Sequence, residues 1–193
     1  MKIGVLALQG AFIEHEQVLK RLCADAIEVR LPKDLAGLDG LIIPGGESTT
    51  IGKLAVQYGL IDPMREMAQA GKAVWGTCAG MIFMSKDVGR DQPLLKLMDV
   101  KVQRNAFGRQ VDSFEADLNV KGIDKTFHAI FIRAPLIESV GAGVEVLATV
   151  DRDHAPAIVA ARQGNLLATS FHPELSNDDR FHQLFLKMIE THK

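Results

Sequence analysis

Apolar residues fall along this chain in short blocks separated by polar or glycine-containing stretches. Residues 2–8 (KIGVLAL) are almost wholly apolar and stop before Gly10, which predicts a strand buried on both faces that ends in a loop. Val18, Leu19 and Leu22 then recur at helical spacing within residues 12–23, so a helix follows the strand. Residues 26–31, 40–43 (GLII) and 73–77 (AVWGT) predict three more strands. Between the last two, Ile51, Leu54, Met64, Met67 and Ala68 mark helical stretches interrupted near residues 59–63. This alternation predicts an α/β fold with a mostly parallel sheet and helices on both faces.

The second half reads differently. Residues 100–103, 111–118, 129–132, 144–150, 157–162 and 166–171 are strand-like with few helices between them, which predicts hairpins or antiparallel additions to the sheet. Residues 178–192 close the chain as an amphipathic helix whose stripe is Phe181, Leu184, Phe185, Met188 and Ile189. There is no repeat, low-complexity tract or linker, and a length of 193 residues fits one domain spanning 1–193.

Composition narrows the function classes. A net charge of -2 without a Lys/Arg cluster argues against nucleic acid as a partner. No apolar run reaches bilayer length, and the start of the sequence lacks the pattern of a signal peptide, so a cytoplasmic protein with no membrane partner is expected. Two cysteines, Cys23 and Cys78, cannot build a disulfide framework or a four-cysteine zinc site.

The segment Gly76-Thr77-Cys78-Ala79-Gly80 stands where a strand gives way to the apolar run MIFM. Small residues on both sides permit a strained turn that lifts a nucleophile out of a sheet. A helix starting after Cys78 would aim its first N–H groups at the thiolate and offer an oxyanion donor at Ala79. The competing reading is a buried cysteine in a tight turn.

A catalytic cysteine needs a base, and His172 is the best placed of six histidines. It follows a strand and precedes Pro173, which favours an extended conformation. Glu174, two residues on, would then point its carboxylate to the same side and hold the ring. His15, His128, His154, His182 and His192 carry no such arrangement and read as ordinary core or surface residues. Pro44-Gly45-Gly46-Glu47-Ser48-Thr49 follows another strand; its adjacent glycines suit an oxyanion hole, and a plain turn capped by Ser48 or Thr49 is the alternative. These three segments converge, because sites in open α/β sheets lie beyond the carboxyl ends of the strands.

The motifs GTCAG, SFHPE and PGGEST resemble the three signatures of class I (triad) glutamine amidotransferases. Residues 6–15 (LALQGAFIEH), 104–118 (RNAFGRQVDSFEADL) and 131–135 (FIRAP) further resemble the branch of that family that serves pyridoxal 5′-phosphate synthase. The resemblance implies a flavodoxin-like three-layer sandwich, with Cys78 as nucleophile, His172 as general base and then acid, and Glu174 as its orienting partner. It implies an oxyanion hole from the Gly46 and Ala79 amides. It further implies glutamine binding by Gly46, Glu47, Ser48, Arg104, Ile132 and Arg133, and no cofactor or metal. The implied activity is hydrolysis of L-glutamine to L-glutamate and ammonia, passed to a separate (β/α)₈-barrel synthase subunit that makes pyridoxal 5′-phosphate. Two other readings remain: a cysteine hydrolase or stress protein of related fold, and a catalytically silent assembly subunit. Cys23, on the apolar stripe of the first helix, is expected to be buried, and Cys78 accessible.

Overall fold

The computed structural model describes residues 1–104, 113–152 and 155–191. Val111 and Asp112 of one expected strand, with most of the 104–112 stretch, lie outside the described residues, as do His154 and His192.

In chain order the elements are β1 (Lys2–Leu6), α1 (Phe12–Arg21), β2 (Asp25–Val29), β3 (Gly40–Ile43), α2 (Ser48–Gln57), α3 (Ile61–Gln69), β4 (Ala73–Thr77) and α4 (Ala79–Met84). They continue with β5 (Ser85–Asp87), β6 (Met98–Gln103), β7 (Ser113–Leu118), β8 (Phe127–Ile132), β9 (Leu136–Val140), β10 (Glu145–Arg152), β11 (Ala155–Gln163), β12 (Leu166–Thr169) and α5 (Arg180–Thr191). Among the described residues, ten strands share one sheet in the order β2-β1-β3-β4-β12-β11-β9-β6-β5, with β10 paired to β11. The first five in that order are mutually parallel, while β12 to β11, β11 to β9 and β9 to β6 are antiparallel. β7 and β8 form a separate antiparallel ribbon.

The pleat explains why the central strands carry no polar face. Successive side chains of β3 point to opposite sides, yet Leu41 and Ile43 meet one apolar cluster and Ile42 meets another, because helices cover both faces. One cluster takes Ile51 and Ala55 of α2, Met64 and Ala68 of α3 and the apolar face of α4. The other takes Leu19 of α1 and Phe181, Phe185, Met188 and Ile189 of α5, packed around Trp75. This is the flavodoxin-like arrangement that the family resemblance implies.

Several details differ from the expectation. The helical region breaks at Tyr58–Leu60, where Gly59 takes φ of 68°, while Pro63 lies inside the first turn of α3, where a missing N–H leaves no intrahelical bond unmade. α2 is capped by neither Ser48 nor Thr49: the Glu47 carboxylate accepts from the Thr49 and Thr50 N–H groups at 3.1 and 2.7 Å. β5 and β9 were absent from the sequence pattern. The strand expected over 166–171 leaves the ladder at Thr169. From there Ser170 N–H donates to Val159 and His172 N–H to the Ile130 carbonyl of β8, each at 2.8 Å. Among the described residues, no helix is long and apolar enough to cross a membrane.

Candidate active site

β3, β4 and β12 are adjacent and parallel, so the loops at their carboxyl ends converge on one edge of the sheet. The β4 loop has almost no length. Cys78 follows Thr77 directly, takes φ 48° and ψ -106°, and is the N-cap residue of α4. Its N–H donates to the Thr169 carbonyl at 2.8 Å, which fixes the turn to β12. Such a conformation is strained for a residue with a Cβ, costing roughly 1–3 kcal/mol. Gly80 lets α4 start so steeply: a Cβ there would stand 1.9 Å from the Ile43 carbonyl oxygen.

The strain yields a stability test. Alanine ordinarily outranks glycine by about 0.5–1 kcal/mol, because glycine loses more backbone freedom on folding. At position 78 the order should reverse, with Cys78→Gly more stable than Cys78→Ala by about 1 kcal/mol, since only glycine relieves the positive φ. Urea denaturation of the two variants measures this, and a more stable alanine variant would show that the backbone is not held against its preference.

The candidate base comes from the segment beyond β12. His172 Nδ1 lies 2.7 Å from Glu174 Oε1, and the Glu174 side chain is fully buried. The two meet by a different route from the expected one, because Pro173–Leu175 is a 3₁₀ turn rather than an extended stretch and the turn folds the carboxylate back under the ring. With Nδ1–H committed to Glu174, Nε2 is left to face the thiol. Burial pulls the His172 pKa down, but hydrogen bonds to the Cys78 thiol and the Glu174 carboxylate outweigh it and raise it to about 10. The imidazole is therefore held protonated at neutral pH.

The glycine loop after β3 closes the cluster. A Cβ on Gly45 would lie 2.4 Å from His172 Cε1 and 3.4 Å from Cys78 Cβ, so the bare backbone passes against both candidate side chains. Ala11 N–H donates to the Gly45 carbonyl at 3.0 Å, and Glu47 N–H donates to Gln9 Oε1 at 2.7 Å, tying the loop to the segment that precedes α1. Ala79 N–H opens α4 and, as a first-turn donor, has no acceptor within the helix.

The expected substrate residues divide. Arg104 joins Glu47 at 3.1 Å and Gln92 Oε1 at 2.9 Å, and Ser48, almost fully buried, receives a 3.4 Å hydrogen bond from Gln92 Nε2. Burial pulls the Glu47 pKa up, but donation from Thr50 and Thr49 holds it at about 2, so its carboxylate is ionised while it caps α2. Ile132 is brought in by its backbone, with its carbonyl oxygen 3.9 Å from the Cys78 sulfur. Arg133 follows with φ of 45°.

Gln92, His15 and His182 belong to this neighbourhood and had no role assigned from the sequence, and Gln9 belongs to it as part of the 9–15 segment. His15 lies within the 6–15 segment that carries the resemblance, and its helical position on the face of Val18 and Leu19 was the available signal. His15 and His182, expected to be ordinary core or surface residues, are core ones: both are fully buried beside the site. The two cysteines also exchange places. Cys23 lies in a left-handed turn after α1 and is exposed, whereas Cys78 is buried at 7%. Helical periodicity ends at Arg21, so the stripe does not extend to residue 23.

A family model described as the SNO glutamine amidotransferase family matches residues 5–191. The pyridoxal 5′-phosphate synthase subunit PdxT of Herpetosiphon aurantiacus is 56% identical over 191 residues, covering 96% of this chain and 99% of that protein. The protein of the same name from Moorella thermoacetica is 56% identical, covering 98% and 100%. A crystal structure described as a glutamine amidotransferase superposes with a TM-score of 0.91 at 52% identity, covering 97% of this chain and 98% of that one.

Proposed function

We propose, starting from a chain that belongs to the SNO glutamine amidotransferase family, that Cys78, His172 and Glu174 form the triad with which it hydrolyses L-glutamine. The observation that carries this reading is a cysteine at φ 48° that shares the bare Gly45 backbone with an imidazole anchored on a buried carboxylate. The whole chain then acts as a single glutaminase domain.

The chemistry follows from the positions. The Cys78 thiolate, whose proton is the one held on His172, attacks the side-chain amide carbon, and the oxygen that becomes negative is held by the Gly46 and Ala79 N–H groups. As the carbon–nitrogen bond breaks, His172 gives its proton to the departing ammonia. A glutamyl thioester remains on Cys78. Neutral His172 then takes a proton from water, hydroxide adds to the thioester carbon, and the carbon–sulfur bond breaks to release glutamate. Arg104 and Arg133 are suited to the substrate's α-carboxylate, and Glu47, Ser48 and the Ile132 carbonyl to its α-ammonium end.

The ammonia supplies pyridoxal 5′-phosphate synthesis, since relatives matched over nearly their full length are subunits of that synthase. The acceptor is a separate synthase subunit built as a (β/α)₈ barrel, and the complex works in the cytoplasm without a cofactor on this chain. The intact triad geometry disfavours a silent assembly role.

The test is labelling. The glutamine-shaped electrophile 6-diazo-5-oxonorleucine should add once, at Cys78, and abolish glutamate production. Because Cys23 is the exposed thiol, a small unspecific alkylating agent should prefer it, so shape rather than access decides the first result. A glutamine-like adduct found on Cys23 with Cys78 unmodified would overturn the assignment.

A further inference from the structure

The Glu174 carboxylate has a second oxygen that the triad does not use. Oε1 accepts from His172, while Oε2 is buried, has no well-formed hydrogen bond, and faces Nε2 of His15 at 3.4 Å. A carboxylate oxygen left without a donor in such a place is costly, so the group that faces it matters. His15 stands on α1. Its Nδ1 lies 2.9 Å from Nε2 of His182 on α5, and its Nε2 is also 3.3 Å from the hydroxyl of Thr77, the residue before the nucleophile. Trp75 sets an edge-on ring against each imidazole, at 5.7 and 4.9 Å.

The protons in this line can be placed. Burial first, then the neighbouring His182 and His172, hold the His15 pKa well below its ordinary value, and burial likewise lowers His182 to about 3. Each imidazole is neutral and carries one N–H. A carboxylate only accepts, so His15 must turn Nε2–H towards Glu174, which leaves its Nδ1 as an acceptor. His182 Nε2–H fills that acceptor, and the His182 nitrogen left bare is Nδ1, the ring atom without a hydrogen-bond partner. One arrangement of protons thus satisfies the line from α5 to the nucleophile.

We propose that His15, with its tautomer set by His182, is a positioning residue of the glutaminase reaction: it steadies the second oxygen of Glu174 so that the first stays on His172 through both proton transfers. This rests on the triad reading above. The link works like the outer partner of a fixed ligand, whose loss typically lowers activity about 10- to 100-fold.

Steady-state glutamate production by the complex with its synthase, measured beside a Cys78→Ala control and thermal unfolding, tests it. His15→Leu should lower kcat about 10- to 100-fold with KM changed less than about twofold, since no substrate contact is lost. His15→Gln, whose amide nitrogen reaches about as far as Nε2, should recover kcat to within about fivefold of wild type. His182→Phe keeps the packing on Trp75 and removes the donor that fixes the tautomer, so kcat should fall about tenfold; this variant decides the matter if His15→Leu does not fold. Wild-type kcat in the folded Leu and Phe variants, an effect confined to KM, or a Gln variant as impaired as the Leu variant would each overturn the proposal. An active Cys78→Ala enzyme would instead sink the triad reading beneath it.

Discussion

Replacing His172 with Asn is expected to lower glutamine turnover in the synthase complex by about 10⁶-fold, and replacing Glu174 with Gln by about 10⁴-fold, the losses measured for the matching members of a hydrolase triad. Asparagine cannot carry a proton between sulfur, ammonia and water, so both halves of the reaction stop. Glutamine at 174 leaves the imidazole in place and removes the charge that favours its protonated form, together with the acceptor that His172 Nδ1 meets at 2.7 Å. Its amide must also turn one donor group towards either His172 or His15, where the carboxylate offered only acceptors. The order of severity is the measurement. Single-turnover and steady-state rates that left both variants near wild type would reduce the 170–174 motif to a turn before α5.

Adding the synthase to the isolated chain is expected to raise glutamate production about 10²- to 10³-fold, the size of effect that follows from gaining or losing one oxyanion donor. The glycine loop is the part suited to such control. Gly46 sits between two anchored neighbours, with Gly45 accepting from Ala11 and Glu47 donating to Gln9, so the orientation of the intervening peptide depends on the segment before α1. Just beyond that segment Ile13 is half exposed, an apolar side chain available to a partner. A synthase that binds residues 9–15 in one conformation alone pulls the loop with it, and its differential affinity supplies the free energy. Equal turnover with and without the synthase, against a Cys78→Ala blank, would refute the control while leaving the triad standing.

The parallel half of the sheet was legible because its strands are buried on both faces and read as unbroken apolar blocks; β3 and β4 begin and end where the sequence placed them. β5 was not, since Ser85, Lys86 and Asp87 pair at the sheet's edge with no apolar pattern to announce them. The three members of the proposed triad were legible as candidates because each sits in a short motif with its own backbone signature. His15 was not, because its partners lie 62, 159 and 167 residues away, on β4, after β12 and on α5, and no local pattern records that. Thiol exposure was misjudged for a related reason: helical periodicity says which face a residue would occupy, not where the helix stops.

The order of the sheet also bears on how the enzyme comes into being. β12 enters between β4 and β11, so the strand that completes the middle of the sheet is the one that delivers the proposed base, His172, more than ninety positions after Cys78. Such long-range pairing closes late, since the loop entropy must be met before the contact rewards it. A nascent chain therefore presents Cys78 long before it holds His172, and the proposed pair cannot form until β12 is in place. On the proposed triad, hydrolysis has to wait for the last strand before the synthase can raise it, which makes turnover in the complex a reporter of completed folding.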